Sequence, residues 1–138
     1  MKVKCLYNTG EVLMGYPSKP MGITKSTEYG LLKIDKEYIV MGIILGEGVL
    51  GYLIDDGGII SACPYQLFEI KENKLPPNWY FKAFAEGEGV YPYQEAIWGY
   101  KELVLNEGHY EKLIEQEDEA MRIYFRRKVE FEKELENL

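Results

Sequence analysis

Residues 38–79 read YIVMGIILGEGVLGYLIDDGGIISACPYQLFEI followed by KENKLPPNW. Short apolar runs meet at Gly46-Glu47-Gly48 and again at Asp55-Asp56-Gly57-Gly58. Glycine supplies the positive φ that a tight hairpin between such runs demands. The spacing predicts strands over 37–45, 49–54 and 59–63. Pro64 has no N–H to donate and ends the third, and 67–70 forms the next. Short strands folding back at this pitch describe a small antiparallel barrel.

Working outward, residues 3–7 alternate around Lys4 and predict the first strand, with Asn8-Thr9-Gly10 as its turn. Gly15, Pro17, Ser18, Pro20 and Gly22 forbid a regular element over 11–27, so a long loop is expected to cross the barrel, of a kind that often carries function. NWYFKAF at 78–84 predicts a strand that closes the barrel, making 1–84 one unit. AEGEGVYP at 85–92 reads as a linker. Beyond it the apolar period changes from 2 to 3.6, and 93–138 predicts a helical hairpin packed on the barrel. Tyr93, Ala96, Ile97, Tyr100 and Val104 mark its first helix after Pro92, which suits a first helical turn. Its second helix is expected from His109 nearly to the end, with a stripe through Tyr110, Leu113, Tyr124, Phe131 and Leu135 and interruptions at Glu117 and Lys128. At 1.5 Å per residue that helix is roughly 45 Å long. A barrel of this size is about 25–30 Å across. The helix is therefore predicted to overhang, leaving Phe131 and Leu135 in need of another surface.

Of the 138 residues, 46% are hydrophobic, enough to fill one core. A formal charge of −7 argues against general binding to nucleic acid or to an anionic membrane. The acidity is uneven: residues 1–77 hold eight Lys/Arg and nine Asp/Glu, residues 78–138 eight and fourteen. Twelve tyrosines against five phenylalanines favour half-buried positions and contact surfaces. No run reaches the roughly 20 apolar residues of a membrane span, and MKVKCLYNTG lacks the pattern of a signal peptide. A cytoplasmic protein is expected. Cys5 and Cys63 lack C-x-x-C spacing and read as small buried hydrophobes in a reducing compartment.

Chemistry-bearing sets are sparse. His109 is the single histidine, which removes most triads and zinc sites, and it reads as a surface or capping residue. Glu111, Glu115, Asp118 and Glu119 lack the Glu-x-x-His pairs of a di-iron site and read as a solvated face, with Asp118 and Glu119 placed to pair with Arg122. Arg122, Arg126, Arg127 and Lys128 form a basic cluster flanked by acids, unlike a recognition helix. Gly46 to Gly51 spells G-x-G-x-x-G but leads into a strand, whereas a phosphate site needs a helix N-terminus there; it reads as a hairpin plus a thin strand position. Tyr52, Tyr65, Trp79 and Tyr80 either line an aromatic groove or fill the core. No catalytic residue, metal or cofactor is expected.

The order of short strands, the Pro64-Tyr65 break and the length of 1–84 resemble an SH3-like barrel. The stretches LIDDGG, PYQLFEI, LPPNWYF, AIWGYKELV and HYEKLIEQEDEA resemble a group of small uncharacterised proteins of Gram-positive bacteria. That resemblance implies an α+β fold, an N-terminal SH3-like antiparallel β-barrel followed by a two-helix C-terminal hairpin. Some relatives carry a phosphoribosylaminoimidazole synthetase label, but this chain has no glycine-rich ATP site or metal-binding acid motif to receive that role. The small acidic character is also similar to that of immunity proteins of bacterial toxin systems.

Two functions are therefore expected. One is a non-enzymatic protein–protein interaction module, with an immunity-type protein as one form of it. Its partner is a second copy through the last helix or a basic protein, and its candidate surface is Tyr52, Tyr65, Trp79, Arg126, Arg127, Phe131 and Leu135. The other is a small-ligand protein or weak enzyme, with a site between barrel, 11–27 loop and helices that uses Tyr52, Trp79 and Glu95.

Overall fold

The computed structural model describes residues 1–85 and 94–137. They form a mixed α+β fold with two antiparallel sheets and a C-terminal helix. The strands are β1 (Lys2–Cys5), β2 (Glu37–Ile39), β3 (Gly42–Gly46), β4 (Val49–Asp56), β5 (Ile59–Pro64), β6 (Phe68–Glu72), β7 (Tyr80–Ala83) and β8 (Gln94–Gly99). The helices are α1 (Lys101–Leu105), α2 (His109–Ile114) and α3 (Asp118–Glu136). One sheet has the order β2-β1-β6 and the other β5-β4-β3-β8-β7.

The glycine-marked turns form as the sequence demands. Glu47 and Gly48 have φ of 54° and 74°, and Gly57 and Gly58 have 58° and 83°, so both hairpins turn through two left-handed residues. The strand expected over 37–45 is broken at Val40-Met41. Its first half pairs with β1, and its second half pairs with β4 and β8.

Strand alternation then assigns two cores. Tyr52, Ile54 and Cys63 point to one side and pack with Val3 and Cys5 of the smaller sheet and with Leu67, just before β6. Leu53, Ile44, Ile60 and Ile97 point to the other and pack with Leu103, Leu113, Tyr124 and Phe131 of the helices. The five-stranded sheet is thus covered on one side by the three-stranded sheet and on the other by helices. The expectation of no regular element over 11–27 fails at its start, where Gly10–Gly15 form a 3-10 helix that buries Leu13 fully in the sheet–sheet core.

The C-terminal half departs from the helical expectation in three ways. Residues 94–99 are strand β8, not helix, pairing with β3 and β7. Ile97 and Trp98 belong to the β-branched and aromatic types that favour a pleated surface, and here sheet pairing outweighs a helical period shared by a few residues. The strand expected to close the barrel at 78–84 is β7, which lies at the outer edge beyond β8 and closes no barrel among the described residues. The long final helix is divided: Gln116 adopts φ of 59°, which ends α2 and re-aims the chain into α3. The 19 residues of α3 span about 28 Å. The helix fits the sheet instead of overhanging it, and Phe131 is buried edge-on against Trp79 at 6.4 Å between ring centroids. Lys128, expected to be half-exposed or paired, reaches Asp55 at 2.9 Å. The expected linker lies, from residue 86 on, outside the described residues.

Gly42 and Gly99 face each other across β3 and β8, and a Cβ on either would meet Leu103 at 2.5 and 2.6 Å. Bare backbone there lets α1 settle onto the sheet. Gly10 is tighter still, because its Cβ would fall on the Thr24 carbonyl oxygen, whereas Gly15 meets nothing. Gly10→Ala is predicted to cost about 2 kcal/mol or more, and Gly15→Ala less than about 0.5 kcal/mol. Urea unfolding of both variants checks the contrast, and equal midpoints would refute this account of the loop base.

Candidate functional site

The carboxylates drawn into the fold are bound to neighbouring donors. Asp56, nearly inaccessible, accepts from Lys33 at 2.8 Å, Lys36 at 2.9 Å and the Tyr38 hydroxyl at 2.7 Å. Burial alone would raise its pKa, but the two ammonium groups and the hydroxyl outweigh burial and hold the carboxyl well below the usual range. Burial first, and the bond to Asp56 second, push the Tyr38 hydroxyl up. Asp55, one residue earlier and so on the opposite sheet face, accepts from the Tyr124 hydroxyl at 2.9 Å and from Lys128. Glu102 takes a two-pronged hydrogen bond from Arg127, both prongs at 2.8 Å, and Arg127 also donates to Glu130.

His109 is buried rather than on the surface. Its Nε2 lies 2.7 Å from the Tyr100 hydroxyl, and burial lowers its pKa. In the Nδ1–H tautomer of the neutral ring, Nε2 accepts and Tyr100 donates. Cys5 and Cys63 are free and buried, and burial pushes the Cys63 thiol up to about 12. Among the described residues no group of three or more His, Cys, Asp and Glu is placed to hold a metal ion. No helix among them is long and apolar enough to cross a membrane.

The predicted surface residues do not form one surface. Tyr52 is buried against Phe68, with 5.7 Å between ring centroids, and Phe131 is in the core. Trp79 sits in the seam, packed on both cores, and meets Phe131. Arg127 is committed to Glu102, while Arg126 and Tyr65 are exposed. Leu135 lines a cavity of about 360 Å³ with Leu75, Pro76 and Pro77. Glu95 accepts the Gly48 N–H at 3.1 Å, supporting the hairpin tip.

A different set converges. On the helix-facing side of the larger sheet, cross-strand pairing places Ile44, Gly51 and Pro64 in one row, with Ala62 beside it. The helices cover the Leu53 half of this face, and the hairpin end stays open as a groove of about 340 Å³. Pro20 and Met21 of the 11–27 loop form one rim and Tyr110 of α2 a wall. Glu47 is the one formal charge in the lining. On α2, the turns beside it and the first turn of α3 stand Glu107, Glu111, Glu115, Glu117, Asp118 and Glu119. None of these six forms an ion pair among the described residues. The pairing expected of Asp118 and Glu119 with Arg122 is not made. Gly51, read from the sequence only as a thin strand position, is the signal that could have pointed here.

No protein-family model, curated protein or solved structure matches this chain.

The Tyr100–His109 pair sets a pH dependence. The folded-state pKa of His109 lies below 6.5, so the unfolded chain binds the proton more readily. Its contribution to stability is complete above pH 6.5 and is lost as pH falls through the folded-state value. The slope is at most about 1.4 kcal/mol per pH unit. His109→Gln is predicted to flatten the difference in urea midpoint between pH 7.5 and 5.5. An unchanged slope would sink the assignment.

Proposed function

We propose that this chain is a non-enzymatic protein-interaction module that takes a segment of a basic partner in the groove between Met21, Gly51 and Tyr110. The groove carries the reading. Its floor is apolar, its depth comes from small side chains at Gly51 and Ala62, and its one lining charge is acidic. The unpaired carboxylates of α2 extend the same negative field, which favours a cationic partner and speeds its approach. An apolar side chain seated in the groove, flanked by Lys or Arg, satisfies both features. The buried carboxylate of Asp56 and the buried His109 ring point the same way, since each is engaged with another residue of the fold.

The SH3-like reading of 1–84 belongs to this proposal. A chain run that passes from one sheet to the other at Val40-Met41, and a 3-10 turn at Tyr65–Leu67 just before β6, support it. In the same reading the protein works in the cytoplasm, and the immunity-type version makes the basic partner a toxin.

A peptide with one phenylalanine between two Lys-Arg pairs tests the proposal by titration into isotope-labelled protein. Amide shifts are expected at Gly46, Gly51, Ala62 and Tyr110. Ala62→Leu, which fills the groove, is predicted to weaken binding about tenfold. Shifts confined to other surfaces, or unchanged affinity in Ala62→Leu, would refute it.

The second reading is a small ligand in this groove, favoured because the cavity lies between sheet, 11–27 loop and α2 as that reading requires. A ligand at 100 times its Kd adds about 2.7 kcal/mol of stability. A metabolite screen by thermal shift with no responder would remove it.

A further inference from the structure

The outer edge of the larger sheet is β7, and among the described residues it pairs only with β8. All four residues, Tyr80, Phe81, Lys82 and Ala83, are exposed. Phe81 is 54% exposed although it stacks on Trp98 at 4.8 Å between ring centroids. Hydrogen-bond direction alternates along a strand. The Phe84 N–H donates to Glu95 at 2.8 Å, so even-numbered residues of β7 bond inward to β8. The N–H and C=O of Phe81 and Ala83 therefore point outward, along the open edge.

Sheets guard their edges with charge, proline or brevity. β6 carries Glu69, Lys71 and Glu72, β2 has three residues, and β5 ends in Pro64. β7 offers two adjacent aromatic residues and a single charge, Lys82, whose ammonium lies 5.2 Å from the Phe84 ring centre.

We infer that a second copy of this chain pairs with this edge, β7 against β7, antiparallel and centred on Phe81. A two-fold axis perpendicular to the sheet requires the central residue to face itself. Centred on Phe81, the outward N–H and C=O of each Phe81 bond to the other, and Trp98, Phe81 and their two symmetry mates form a continuous aromatic row across the join. Tyr80 then lies opposite Lys82 of the second copy, placing a cation beside a ring on the other face. Centred on Lys82, two ammonium groups would stand directly opposite each other, which is unfavourable. Register therefore follows from side-chain chemistry, and the occupant is self-complementary as a closed two-fold contact demands.

The contact is short, so a dissociation constant in the micromolar range is expected. Sedimentation equilibrium over roughly 5–500 µM reads it. Phe81→Asp is exposed and leaves both cores intact, and it is predicted to weaken the dimer at least about tenfold. Under mild oxidation Phe81→Cys is predicted to form a covalent dimer, because hydrogen-bonded antiparallel pairs place Cα atoms about 5.5 Å apart, within disulfide reach. Lys82→Cys is predicted to cross-link far less. A protein that stays monomeric throughout, a dimer that survives Phe81→Asp, or preferential cross-linking of Lys82→Cys would each overturn the inference.

Discussion

Adjacent aspartates at one hairpin hold this fold's layers in place. Asp55 and Asp56 are consecutive on β4, so their side chains leave opposite faces of the larger sheet. Asp56 binds Lys33, Lys36 and Tyr38 on the side of the smaller sheet. Asp55 binds Tyr124 and Lys128 of α3 on the other. A buried carboxylate costs several kcal/mol in lost hydration. Each therefore persists only where charged donors surround it, and those donors are supplied by the layers themselves. The two-residue turn at Gly57-Gly58 fixes where β4 ends and so where both carboxylates stand. A one-residue slip in this hairpin would exchange their faces and break both attachments.

That dependence explains what was legible in the sequence. The hairpin glycines, Pro64 and the apolar runs between them set β3 to β6, because turn chemistry is local. The glycine set at Gly46–Gly51 was legible as a hairpin for the same reason. β8 was not, because AIWGY satisfies a helical stripe about as well as a strand, and only its pairing with β3 decides. The break at Gln116 was also hidden, since glutamine carries no preference for a left-handed backbone. Once α3 is shortened, Phe131 reaches Trp79 and no unpaired stripe is left over.

The groove was not read as a site from the sequence. Gly51 marked a thin place in a strand, and the groove lies over it. Aromatic content pointed elsewhere, to Tyr52 and Trp79, and both are occupied with packing. A large ring is a weak pointer to a surface because the core has first use for its area. Small residues on a strand face carry more information when, as here, the covering helices stop short of them. His109 illustrates the same limit: a lone histidine looked exposed until Tyr100 was seen to bury it.

Groove and sheet edge are separate parts of one sheet. The groove floor is built from β3, β4 and β5, whereas β7 lies beyond β8 on the far side of β3. A pair joined through β7 therefore leaves both grooves open. Two sites on one rigid sheet bind a partner carrying two matching segments far better than one site does, because the second contact is intramolecular. The gain depends on the spacing of the segments and needs no new contact. A weak groove of this size becomes a selective one when its partner is itself repeated or dimeric, and it stays weak toward the many single basic segments that an acidic surface attracts.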